Sequence, residues 1–261
     1  RLLTIKREIE IDRSGFKEFV WEEELEEDER AIYLNQEEGA ATAAKVRYRS
    51  EPLEFLAQLL NGGVPLTVGV PLMPLNEALP SARITFGKRE LEFRPASDRH
   101  TRFGAIIGIR ELDWRTHAGV CDEWLTIPGE FIVTMSFQIQ DRTEALEKIS
   151  LVEKQLLSSD EKDTSLVEDM GIARDQVARG EGVNGAFHMT ALALGSTRAE
   201  MESCVESMTK TISGQGIIPV REDLNQEAAM WAQLPGNFEY IARRMTISSA
   251  AYVNFASFHN Y

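Results

Sequence analysis

The sequence lacks a long apolar run, a set of cysteines and an excess of basic residues. Its two cysteines, Cys121 and Cys204, lie far apart, which excludes a disulfide framework and is typical of a reducing compartment. The longest apolar stretches, Phe103–Ile109 and Phe131–Phe137, have the length of strands, far below the roughly 18 residues of a membrane-spanning helix. A formal net charge of -14 argues against direct contact with nucleic acid.

Motifs that hold nucleotides or metals are missing too. The P-loop pattern G-x-x-x-x-G-K-[ST] and the nucleophile elbow G-x-S-x-G occur nowhere in the sequence. Residues Gly180–Gly185 match G-x-G-x-x-G, but a helix is predicted before them and a strand after them, the reverse of a dinucleotide site, so we interpret them as a turn. His117 and Cys121 supply two ligands where zinc needs three or four. No catalytic, cofactor-binding or metal-binding residue is therefore assigned.

Residues 1–49 differ in composition from the remainder of the chain. They include the acidic run Glu22–Glu29, which is either a solvated surface or a docking site for a basic partner. From residue 50 to residue 261 the sequence is that of a globular domain. We therefore predict an acidic N-terminal segment, 1–49, followed by one domain, 50–261.

Patterns of apolar residues and turn signals predict the elements of that domain. Helical spacing is found in Pro52–Leu60, in the stretch from Asp141 to about residue 157, in Thr164–Ala178, in Arg198–Ile212 and in Asn225–Leu234. Strands are predicted at Ala82–Phe86, Glu90–Phe93, Arg102–Leu112, Glu130–Gln138, Gly185–Leu194 and Gly216–Arg221. The C-terminal half thus has the order β-α-β-α-β, which predicts an α+β fold with a mixed sheet and packed helices.

A short apolar helix and a sharp turn stand close to the C-terminus. Pro235 cannot continue the helix Ala228–Leu234, because it lacks an N–H and its ring clashes with the preceding turn. The four residues Leu234–Asn237 (Leu-Pro-Gly-Asn) are typical of a type II turn, whose third position needs a positive φ that glycine adopts freely. Trp231 supplies a large apolar side chain beside this turn.

The most distinctive segments resemble the CagE/TrbE/VirB family of type IV secretion ATPases. The resemblance covers residues 50–261 in order, and residues 1–49 do not match. It is carried at the C-terminus by Arg221–Leu224, Glu227–Arg243, Ile247–Ser249 and Asn254–Tyr261, and earlier by Ser50–Leu56, Leu60–Gly62, Phe86–Gly87, Arg102–Gly104, Pro128–Phe131 and Ser136–Phe137.

This resemblance implies the N-terminal domain of a cytoplasmic ATPase at the bacterial inner membrane, which energises pilus biogenesis and substrate transfer across the envelope. The ATP and Mg²⁺ sites would lie in a P-loop domain after this chain, so the chain alone is not expected to hydrolyse ATP. The implied partners are inner-membrane subunits of the machine, further copies of the protein and other secretion ATPases.

One segment near the C-terminus is a candidate for coupling this domain to the ATPase domain. We call it the elbow, and its residues are Trp231, Gln233, Leu234, Pro235, Gly236, Asn237 and Arg243. The alternative is an ordinary core tryptophan and an ordinary turn. For the whole chain, a free-standing acidic α/β enzyme or nucleotide-binding module remains an alternative, as does a nucleic-acid contact through Arg102 and Arg110 or through Arg243 and Arg244.

Overall fold

The computed structural model describes residues 5–13, 16–27, 46–96, 100–112, 116–158, 171, 174–175, 179–180 and 182–255. The strands are β1 (Ile5–Arg13), β2 (Phe16–Trp21), β3 (Val46–Ser50), β4 (Ala82–Phe86), β5 (Leu91–Pro95), β6 (Arg102–Leu112), β7 (Glu130–Ile139), β8 (Asn184–Gly195), β9 (Ile217–Arg221) and β10 (Met245–Ser248). The helices are α1 (Glu51–Leu60), α2 (Leu75–Ala78), α3 (Arg142–Ser158), α4 (Arg198–Ser213), α5 (Gln226–Trp231) and α6 (Ser249–Val253). Short 3-10 turns lie at Glu22–Glu24, Asp122–Thr126 and Phe238–Tyr240.

The chain forms two compact units. The first contains residues 1–84 and 93–100, and the second contains residues 85–92 and 101–261. In the first unit, β1 pairs antiparallel with both β2 and β3. Helix α1 packs the buried side chains of Leu53 and Ala57 against Leu79. The buried amide of Asn61 then binds the end of this helix to the next segment, because its Nδ2 donates to Ala57 O (2.7 Å) and Leu79 O (2.9 Å).

The second unit is built around strand β8. Strand β7 pairs with residues 185–194 of β8 along one edge of that strand. Along the other edge of β8, β10 pairs with residues 184–187 and β6 with residues 190–195, and β9 pairs with β6. One face of this sheet carries Phe187, Met189, Ala191 and Ala193, which form a single core with side chains of α4. Helix α4 itself begins at a capped end, where Thr197 accepts from the Glu200 N–H at 3.2 Å.

The α+β class predicted from the sequence is confirmed, as is the β-α-β-α-β order of β7, α3, β8, α4 and β9. The mixed sheet is corrected: the pairings whose register the structure describes are all antiparallel. Strands β8 and β9 do run in the same direction, since each is antiparallel to β6, but β6 lies between them. The helical connection therefore crosses over one strand, so that neighbouring strands remain antiparallel.

Predicted element bounds agree with the structure to within a few residues, and those of β4 and β6 agree fully. The helix after β7 begins at a capped end, where Asp141 Oδ2 accepts from the Thr143 N–H at 3.1 Å. Of the predicted helix Thr164–Ala178 the structure describes only residues 171, 174 and 175, and the residues after 255 lie outside the described residues. Of the acidic run, Glu22–Glu24 forms a 3-10 turn. The domain boundary at residue 50 stays a prediction.

Candidate domain-coupling site

The elbow lies on the second face of the β8 sheet, opposite the face that packs against α4. Side chains alternate along a strand, so Thr190 points away from the core that contains Met189 and Ala191. Gln233 is 1% exposed, and its Nε2 donates to Thr190 Oγ1 at 2.6 Å. Its Oε1 accepts from Thr134 Oγ1 at 2.5 Å. Because Thr134 and Thr190 are opposite each other in the β7–β8 ladder, one buried amide joins the elbow to both strands.

An ion pair between a buried carboxylate and a partly exposed arginine joins the two ends of the segment that contains the elbow. Glu222 is 2% exposed, and Arg243 Nε donates to its Oε1 at 2.7 Å. The Glu222 N–H also donates to Ile106 O of β6 at 2.9 Å. The carboxylate lies directly over Gly108, where a Cβ would collide with Glu222 Oε1. The hydrogen bond that Arg243 donates to Glu222 raises the pKa of Arg243, so the guanidinium stays charged.

The predicted turn at Pro235 is confirmed. The Asn237 N–H donates to Leu234 O at 3.2 Å, and Gly236 at the third position has a φ of +82°. The Asn237 side chain also donates to Trp231 O at 2.9 Å, so the turn folds back on the last residue of α5. A Cβ on Gly236 would meet no heavy atom within 4 Å, so backbone conformation alone selects glycine there.

Two aromatic residues beside the turn were not among the predicted site residues. Phe238 and Tyr240, in the 3-10 turn that follows, are 50% and 38% exposed. Trp231, by contrast, is half-buried, and its ring centroid lies 6.0 Å from that of Phe86. The ring therefore packs within this chain, and the exposed aromatic surface is provided by the next two aromatic positions. The signal for them in the sequence is their place directly after a proline-glycine turn.

His188 is a buried titratable group on the same face of the sheet. It is 3% exposed, and its Nδ1 has no hydrogen-bond partner among the described residues. Burial first, and then the positive charge of Arg244, lower the pKa of His188 from 6.5 to about 4. The Arg244 side chain is itself held in place, because its Nη2 donates to Phe238 O at 2.6 Å. His188 is therefore neutral at physiological pH.

This burial predicts a loss of stability in mild acid. The pKa of His188 is lower in the folded than in the unfolded chain. Its contribution to the free energy of unfolding is therefore fully present above about pH 6.5 and is lost as the pH falls toward 4. We expect its contribution to the free energy of unfolding to fall by about 1–2 kcal/mol between pH 7 and pH 5. Denaturant titrations of His188→Gln should show a smaller decrease than the unmodified chain. His117→Gln, at an exposed position, is the matched control, and equal decreases in all three chains would contradict the assignment.

The other candidates from the sequence gain no support as sites. Gly182 leads into the strand β8, whereas a dinucleotide site needs a helix to follow its glycine loop. Among the described residues no group of three His, Cys, Asp or Glu side chains is placed to hold a metal ion. Burial first, and then the nearby Asp122 carboxylate, raise the pKa of Cys121 to about 11, which makes its thiol a poor ligand at neutral pH. No helix in the described part of the chain is long and apolar enough to cross a membrane.

The arginines proposed for nucleic-acid contact all have partners within the chain. Arg102 and Arg110 lie 2.5 Å from Glu130 and 3.2 Å from Glu111, respectively. Arg243 is bound by Glu222, and Arg244 donates to a backbone carbonyl. Three of these four arginines thus have a carboxylate partner within the chain, although the pair of Arg110 and Glu111 is exposed.

Fold and site together define an antiparallel α+β domain whose C-terminal segment is bound to its sheet by buried polar contacts. The chain belongs to the CagE, TrbE, VirB family, a component of the type IV transporter system, whose profile matches residues 40–243. The match ends at Arg243 and so includes every residue of the elbow.

Curated relatives agree with this membership. The chain is 32% identical to the type IV secretion system protein virB4 of Bartonella henselae over 215 residues, which are 81% of this chain and 27% of that protein. It is 29% identical to the type IV secretion system protein PtlC homolog of Bordetella bronchiseptica over 223 residues, 85% of this chain and 27% of the relative. It is 30% identical to the protein virB4 of Rhizobium radiobacter over 187 residues, 72% and 23% of the two chains. The chain thus spans about a quarter of the length of these relatives.

Proposed function

We propose that this chain is the assembly and docking domain of a type IV secretion ATPase. In this proposal the protein acts at the cytoplasmic side of the bacterial inner membrane, where it energises pilus biogenesis and substrate transfer across the envelope. It binds inner-membrane subunits of the machine, further copies of itself and other secretion ATPases. ATP and Mg²⁺ bind in a P-loop domain that follows this chain. Membership of the family and the names of the relatives support this role.

The observation that carries the docking role is an exposed aromatic surface on a firmly held segment. The buried Gln233 amide and the Glu222–Arg243 pair fix both the middle and the ends of residues 222–243. Between these anchors Phe238 and Tyr240 stay exposed. Aromatic side chains on a preorganised backbone are the residues that dominate binding at protein interfaces, because little conformational freedom is lost when a partner covers them.

A capture experiment tests this role. The tagged chain is incubated with detergent extracts of cells that carry a secretion machine, and its bound subunits are identified by mass spectrometry. We expect the inner-membrane subunits of the machine to be retained, and a Phe238→Ser, Tyr240→Ser double variant to retain at least about tenfold less. Leu125→Ser, which changes another exposed apolar residue (57% exposed), is the matched control. Equal retention by all three chains, or none by the unmodified chain, would count against the docking surface.

The alternative class, a nucleotide-using enzyme, predicts a different result. Without a P-loop lysine and its Ser or Thr, neither phosphates nor Mg²⁺ are held, so we expect the purified chain to hydrolyse no ATP. Gly182→Ala should change stability by about 1 kcal/mol at most and leave nucleotide binding by the complete protein unchanged. ATP turnover that follows the chain through every purification step would favour the enzyme.

A further inference from the structure

Strand β7 is an edge of the sheet in the second unit. Its ten residues, Glu130–Ile139, pair in continuous register with β8. No other described strand pairs with it. An edge strand presents a row of backbone donors and acceptors, which makes it a template for pairing with another chain.

The register shows which backbone groups of β7 point outward. The Gln140 N–H donates to Asn184 O at 3.0 Å, and these residues are opposite each other at the end of the β7–β8 ladder. Hydrogen-bonded and non-hydrogen-bonded pairs alternate in an antiparallel ladder. The backbone N–H and C=O groups of the even-numbered residues of β7 therefore point toward β8. The N–H and C=O groups of the odd-numbered residues therefore face the open edge; these residues are Phe131, Val133, Met135, Phe137 and Ile139.

The defences that an edge strand can carry in its own sequence are absent from β7. Proteins protect such edges with proline, lysine, a bulge or a very short strand. Strand β7 contains no proline and no basic residue, its register is unbroken over its whole length, and it is longer than most strands. Its one charged residue is Glu130 at the first position, and that carboxylate lies 2.5 Å from Arg102. Nothing in the strand itself repels a partner strand.

We propose that two copies of this chain pair through β7, antiparallel and across a twofold axis at Met135. In this register Met135 lies opposite its own copy, Val133 opposite Phe137, and Phe131 opposite Ile139, so every outward backbone group is used. All apolar side chains of one face then meet apolar partners. On the other face Thr134 lies opposite Ser136 and Ile132 opposite Gln138, and no like charges are opposed. A twofold interface requires this self-complementarity.

The pairing also accounts for an exposed apolar residue. Ile139 is 70% exposed, although Phe131, Val133, Met135 and Phe137 on the same face pack against the core. In the proposed register Phe131 of the second copy covers Ile139, and cross-strand pairs of this kind stabilise a sheet. The pairing rests on β7 alone, so its failure would leave the docking role of Phe238 and Tyr240 untouched.

Disulfide cross-linking of the complete chain tests the register. In Met135→Cys the two new thiols lie on directly opposite residues, whose Cα atoms are about 5.5 Å apart, within disulfide range. In Val133→Cys the two thiols are four positions apart along the strands, or about 13 Å, beyond that range. With copper-phenanthroline as oxidant we expect Met135→Cys to form at least about tenfold more covalent dimer than Val133→Cys or the unmodified chain, whose Cys204 is buried and whose Cys121 is half-buried. Equal dimer yields from both variants would overturn the proposal.

Sedimentation of the uncross-linked chain provides the second readout. We expect the fraction of chains in the dimer to rise with protein concentration over about a hundredfold range. Such a gradual rise is typical of reversible association through a small interface. Ile139→Lys should abolish it, because the ammonium would be buried against Phe131, whereas Leu125→Lys, the matched control, should not. A chain that stays monomeric, as expected if a strand from another protein occupies the edge, overturns the proposal, and so does a dimer that persists in Ile139→Lys.

Discussion

Replacing Gly236 by valine should lower substrate transfer by the proposed secretion ATPase by roughly 5- to 30-fold while the chain stays folded. Gly236 has a φ of +82°, and a side-chain-bearing residue pays about 1–2 kcal/mol to adopt that region, more when it is β-branched. This energy lowers the equilibrium constant between the native turn and its alternatives by about 5- to 30-fold. Because no atom lies within 4 Å of the new Cβ, packing is not disturbed. The measurement is substrate transfer by cells that carry the variant, beside thermal unfolding of the chain.

Asparagine at the same position separates backbone conformation from side-chain size. Asn tolerates a positive φ far better than valine, so Gly236→Asn should keep most of the activity. Full transfer by a folded Gly236→Val protein would show that the elbow is only a turn. A Gly236→Val chain that fails to fold would instead show that the turn is needed for the domain itself, and coupling would then have to be tested through Asn237.

Arg243→Ala should cost roughly 2–4 kcal/mol of unfolding free energy. Glu222 is 2% exposed, and removal of its partner leaves a carboxylate in the interior without a counter-charge. The expected loss lies toward the lower part of the range for broken buried pairs, because the Arg243 side chain is 42% exposed and water can reach the gap. Denaturant titration of the chain measures it.

The double variant Glu222→Gln, Arg243→Met is the control for this interpretation. It removes both charges at similar volume, and we expect it to recover more than half of the stability that Arg243→Ala loses. If Arg243→Ala costs less than about 0.5 kcal/mol, the pair is a surface contact of little consequence, and the segment is held mainly by Gln233.

Local signals in the sequence were sufficient for most elements and for the turn. Proline and glycine act through their own backbone, so Pro235 and Gly236 predict the turn without knowledge of the fold. Alternation in β7 predicts its two faces in the same way. The strands β1 and β2 were missed because charged residues flank the buried Ile9 and Ile11 of β1 on both sides and dominate its composition.

The contacts that hold the elbow could not be predicted, because each joins residues far apart in the chain. The amide of Gln233 meets Thr134 and Thr190 only once β7 and β8 are paired. Glu222 looks like one acid among many in an acidic chain, and its burial depends on the absence of a side chain at Gly108. The antiparallel pairing was missed for the same reason, since the order of elements does not say that β6 lies between β8 and β9.

Competition in living cells tests the docking role most directly. The chain is overproduced in cells that carry an intact secretion machine, and substrate transfer is measured. If the chain docks onto the machine without supplying ATP hydrolysis, it displaces the complete ATPase. Transfer should then fall at least about tenfold, a ratio that corresponds to about 1.4 kcal/mol of binding free energy. The Phe238→Ser, Tyr240→Ser variant, produced to the same level, should restore transfer. Undiminished transfer in the presence of excess folded chain would contradict the docking role.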